Sequence, residues 1–135
     1  MKWIRSRTFA AVTASLGLAA LLGGSLGVVT AGVRNTNLST GFNLVGGPLG
    51  GPVAPDQFAA CLPGTSWSSL YIWDGAAQTW QHYFNTGVDS IPAYVNTSSA
   101  GGIVNIPQFA GVVIIMKTAV NNPRLKDSNN ESCGG

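Results

Sequence analysis

The sequence predicts a mainly β chain: one small antiparallel domain, sandwich or barrel-like, with one or two short helices. Three observations predict it. Two aromatic-rich runs flank Asp74-Gly75 in the pattern of a β-hairpin. The run Gly111-Val-Val-Ile-Ile-Met116 is rich in β-branched residues and far too short to cross a membrane, so it reads as a buried strand. Between them and the N-terminal part, Gly46 to Pro55 holds four Gly and three Pro, which rules out the centre of a strand or helix there.

Along the chain, the first element is an address. Lys2, Arg5 and Arg7 precede 26 uncharged residues, Thr8 to Val33, whose centre is the 14-residue apolar run Phe9 to Leu22. A basic head, an apolar middle and the small-x-small end Val29-Thr30-Ala31 are the three parts of a secretory signal, so residues 1–31 are expected to be removed after Ala31. The competing reading is an uncleaved membrane anchor, because 26 residues are long enough to span. Glycines 17, 23, 24, 27 and 32 dilute that span, and no Cys follows the run until Cys61, which disfavours a lipoprotein. Three of the seven positive charges leave with the leader, so Arg34, Lys117, Arg124 and Lys126 face five carboxylates and the mature net charge is −1.

The β-domain is expected over residues 32–120. Val33 to Ser39 is polar and suits an edge strand at most, whereas Gly41-Phe-Asn-Leu-Val45 alternates as a short strand does. Asp56 to Leu62 suits two helical turns between Pro55 and Pro63. In the hairpin, pairing Trp73 with Trp80 puts Tyr71, Trp73, Trp80 and His82 on one face and Leu70, Ile72, Gln81 and Tyr83 on the other. Both faces then carry apolar bulk, which predicts that the hairpin lies inside the sheet. Ser90 to Val95 suggests a short helix capped by Ser90, and Ile103 to Ile106 a brief strand. From Asn121 to Gly135 the chain is polar and reads as a tail with nothing but Cys133 to hold it. In an oxidising compartment, Cys61 and Cys133 either bridge, closing a loop of about 70 residues, or stay as two free thiols, or form one intermolecular bond through Cys133.

Gly41-Phe-Asn-Leu-Val45, Leu70-Tyr-Ile-Trp-Asp74 with Trp80 and Tyr83, and Tyr94-Val-Asn-Thr97 occur in that order. Over about residues 41–118 this resembles a group of bacterial exported β-rich modules with a Gly-Trp-Asn-Leu-Val opening, a Trp-Asp…Trp…Tyr hairpin and a Leu-Asn-Thr-Leu segment. Phe42 replaces the usual Trp, and Gly111-Val-Val-Ile114 stands where those modules carry Gly-Tyr-Trp-Ile/Val. The resemblance implies an extracellular accessory unit and no particular activity.

The chemistry the chain lacks is as informative. Charged residues make up 9%, against roughly 25% in an ordinary domain, so no basic stripe is present for nucleic acid. With one His, a multi-histidine metal site is excluded and no cofactor is expected. A hydrolase would need His82 as its base, with a carboxylate orienting it and a Ser beside it; the bland alternative is a His packed on a strand face. Asp56, Asp74 and Asp89 fit a helix start and turns better than paired catalytic carboxylates. The remaining candidates are the rings of Trp67, Tyr71, Trp73 and Trp80, with His82, as a surface that stacks on a glycan or anchors a protein partner. Their competing role is the core of a small β-domain. The expectation is a secreted or cell-surface, non-catalytic binding or structural module, with a self-assembling surface subunit as the alternative; membrane contact arises only if the leader stays, and composition leaves the oligomeric state open.

Overall fold

The computed structural model describes residues 37–134. The leader expected over residues 1–31 lies outside them, as does Gly135. Four strands, β1 (Gly41–Gly46), β2 (Trp67–Asp74), β3 (Thr79–Phe84) and β4 (Gly111–Met116), form one antiparallel sheet in the order β1-β4-β2-β3. Among the described residues the helical elements are a single turn, α1 (Pro55–Phe58), and two 3-10 turns at Ala93–Asn96 and Ser98–Ala100. The molecule is a mainly β domain with few short helices, as the sequence predicts.

Side chains alternate along each strand, so the register sorts them into two sets. Val45 of β1, Val112, Ile114 and Met116 of β4, and Leu70 and Ile72 of β2 point to one side and are buried. They meet a layer made of α1 and loops, which contributes Val53, Phe58, Leu62, Ile103 and Ile106. Each fully buried aliphatic side chain of this kind is worth about 1.5–3 kcal/mol relative to exposure. The stiff segment 46–55 belongs to this layer: Val53 and Ile106 exchange backbone bonds of 3.1 and 2.7 Å. Ile103 to Ile106 thus makes an isolated bridge at Ile106 and no full strand.

The hairpin has the register that alternation predicts, with Trp73 opposite Trp80 and Tyr71 opposite His82. Its loop is pinned by Asp74, whose Oδ1 accepts the backbone N–H groups of Ala76 and Ala77, both at 3.0 Å. Only one arm is interior, however. β2 lies between β4 and β3, while β3 is the last strand of the sheet. Its outer edge is taken by a strap over residues 96–103: His82 N–H donates to Gly101 O at 3.1 Å, and Ile103 N–H donates to His82 O at 2.8 Å. Asn96 completes the strap, its Oδ1 accepting from Phe84 N at 2.7 Å and its Nδ2 donating to Phe84 O at 2.8 Å. An amide side chain thus stands in for a strand residue.

Two local expectations are corrected. Ser90 caps nothing: it has a left-handed φ of 53°, and the following helical turn is the short 3-10 turn with Pro92 at its N-cap and no side-chain cap. Pro92 lacks the N–H that a longer helix beginning at Ser90 would use, and Ile91 before it is biased to extended backbone. Likewise α1 is one turn, because Leu62 N–H already bonds to Ala59 O in a tighter turn before Pro63. The polar C-terminal stretch has more to hold it than its composition indicates. Leu125 enters the core, Lys126 N–H donates to Phe58 O at 3.1 Å, and Arg124 pairs with Glu131 at 2.9 Å. Cys61 and Cys133 are joined by a disulfide.

Candidate functional site

The second side of the sheet is where the sequence-selected rings go. Phe42 lies opposite Ile115 and Leu44 opposite Val113 across β1 and β4; Val113 is in turn opposite Tyr71, and Tyr71 opposite His82. The same parity adds Trp73, Trp80 and Phe84. Among the described residues, no layer covers this face as α1 and its loops cover the other. Phe42, Leu44, Trp73 and Trp80 are 67%, 61%, 48% and 54% exposed. Phe42, Tyr71, Trp80, Val113 and Ile115 line a shallow groove of about 360 Å³ on it.

The five predicted site residues divide. Tyr71, Trp73, Trp80 and His82 are brought together on this face, as the hairpin register requires. Trp67 is not: it is 6% exposed and belongs to the core, stacked on Tyr83 with ring centres 6.3 Å apart and planes 23° from parallel. The register between β2 and β4 shifts between Trp67 and Ser69, so parity counted back from Tyr71 misplaces Trp67. Trp73 and Trp80 meet edge to face, 5.4 Å between centres and 67° between planes. Such a pair gains about 0.5–1.5 kcal/mol from its geometry beyond the area it covers, and it offers no flat double platform for a sugar ring.

His82 is held in place from several sides. Its Nε2 lies 2.9 Å from the carbonyl oxygen of Val95, its ring packs against Phe84 at 4.9 Å, and its backbone is bound into the strap. Asp74 is occupied by the hairpin turn and Gln81, Asp89 pairs with Lys117, and Asp56 lies on α1. Among the described residues there is no group of three His, Cys, Asp or Glu placed to hold a metal ion.

Residues missed by sequence reasoning carry much of the face. The sequence marks Phe42 and Leu44 only as part of a strand, and Val113 and Ile115 only as part of a buried one. The available signal is parity: β1 is apolar at 42, 44 and 45, and β4 is apolar at every position from 112 to 116, so both strands have apolar residues on both faces. A smaller cleft of about 190 Å³ lies on the other side, between α1 and β3, lined in part by Asp56, Trp67, Tyr83 and Asn85. There, burial first and the Asp56 carboxylate second raise the Tyr83 phenol above its ordinary value of 10.0. Compared with family models, curated proteins and solved structures, the chain matches none.

Proposed function

We propose that this chain works outside the cytoplasm as a non-catalytic β-module that binds a protein surface through its open sheet face. The observation that carries the reading is the face itself. Phe42 and Leu44 of β1, Trp73 of β2 and Trp80 of β3 stand in solvent on a domain that already has a core on its other side. Lone exposed apolar residues are normal, but a contiguous apolar patch is characteristic of an interaction surface.

The partner's chemistry is suggested by the groove. Aliphatic Val113 and Ile115 lie between the rings, and the rings are set edge to face; apolar side chains fit such a surface better than a pyranose, which favours a flat ring and polar groups at its rim. The lone imidazole is engaged by a backbone carbonyl and an aromatic neighbour, which favours a structural role over a catalytic one. Export is supported by the basic-then-apolar leader pattern and by the disulfide. No helix among the described residues is long and apolar enough to cross a membrane.

The test is photo-crosslinking in the exporting cell, with a photoreactive phenylalanine replacing Phe42 or Trp80 and, as control, Ala76 in the exposed hairpin loop. The expected result is a discrete polypeptide adduct from positions 42 and 80 and none from 76. Absence of adducts at both face positions, with binding to chitin, cellulose or peptidoglycan lost in Trp80→Ser, would replace the protein partner with a glycan.

A further inference from the structure

The open face is suited to an occupant of a particular kind. Among its described residues, from Phe42 and Leu44 through Val113, Ile115, Ser69, Tyr71 and Trp73 to Trp80, His82 and Phe84, there is no Asp, Glu, Lys or Arg. A charged partner would find nothing to pair with. A copy of the same face would meet no repulsion.

Size points the same way. Taking about 150–250 Å² for a whole aromatic side chain, the exposed parts of Phe42, Trp73, Trp80 and Leu44 together offer about 450 Å² of apolar surface. Two such faces, with the half-buried Tyr71 and Ile115 added, cover about 1,000 Å², the size at which a specific interface begins. Geometry also permits it. Antiparallel sheets pack face to face about 10 Å apart with interdigitating side chains, and ridges of Trp and Phe beside the groove floored by Val113 and Ile115 are the complementary parts that a two-fold axis would bring together.

We infer that the occupant is a second copy of this chain, and that two sheets close face to face into a two-fold dimer with a shared second core. This rests on the reading that the open face is a protein-binding surface, and it names the protein. In the dimer each four-stranded sheet is covered on both sides, by its own loop layer and by its twin. A two-fold arrangement uses up the open face of each copy, so association through the face stops at two.

The experiment is sedimentation equilibrium on the chain as exported and processed, its N-terminus read by mass spectrometry, over about 1–100 µM, which reaches micromolar association, the weak end of the range for protein interfaces. Phe42→Lys and Trp80→Lys each place a charge on the face, and Asn130→Lys places one on an exposed position elsewhere. The expected result is a dimer for the parent and for Asn130→Lys, and at least a tenfold weaker association for both face variants, with unchanged far-UV circular dichroism. A parent monomeric throughout the range overturns the proposal, whether or not the leader is retained. So does a dimer indifferent to both face charges, or growth past two into open oligomers. Crosslinking of positions 42 and 80 to a different polypeptide, together with a monomer in solution, overturns the twin and leaves the protein-binding face standing.

Discussion

Tyr83 shows how a single residue reports on the core. Its ring stacks on Trp67 and it lines the cleft that Asp56 also lines, so burial and then the nearby carboxylate both disfavour the phenolate. A phenol whose folded pKa lies above its unfolded value binds more protons in the folded state once pH exceeds the unfolded value. The stability it contributes is therefore intact below about pH 10, the free-tyrosine value, and is lost as pH rises through the folded pKa. Chemical denaturation of Tyr83→Phe should show a shallower fall in stability above pH 10 than the parent does. Equal slopes would mean that the phenol is solvated in the folded protein.

At the scale of elements, the strap on β3 depends on a close backbone approach. Gly102 is buried, and a Cβ there would run into the backbone of Asn96, with the carbonyl oxygen of Thr97 also within contact. Backbone cannot step aside as the end of a side chain can, so Gly102→Ala should unseat the strap and cost about 1–3 kcal/mol, measured by urea denaturation. The backbone amides of His82 and Phe84 would then lose their protection from hydrogen exchange. The strap was illegible in the sequence because its bonds come from Asn96 and from loop carbonyls, which follow no period. The hairpin was legible for the opposite reason. With Trp73 paired to Trp80, period-two alternation around Asp74-Gly75 puts Tyr71, Trp73, Trp80 and His82 on one face; a slip of two keeps that set together and a slip of one scrambles it. Trp67 escaped that logic through one irregularity in register, and Leu125 through its isolation among polar neighbours. The openness of the face was not readable at all, since apolar residues on both sides of a sheet are equally consistent with a strand covered on both sides.

For the molecule as a whole, a domain with about 100 described residues has one modest core and gains from a covalent staple. The Cys61–Cys133 bridge spans 72 positions, and by the chain-entropy estimate a loop of that size contributes about 4 kcal/mol. The double variant Cys61→Ser/Cys133→Ser should unfold at lower denaturant by a comparable free energy, and proteolysis under native conditions should begin in residues 121–134. An unaltered midpoint would assign the holding of that segment to Leu125 and to the segment's hydrogen bonds with Phe58, Gly50, Leu49, Ala54 and Gln57.

The same bridge encircles β2, β3 and β4 in one covalent ring, whereas β1 at Gly41–Gly46 lies outside it. Local opening can therefore take β1 away from β4 while the other three strands remain within one covalent ring. Phe42 and Leu44 would go with it, so one flank of the exposed surface is detachable and the Trp73–Trp80 flank is not.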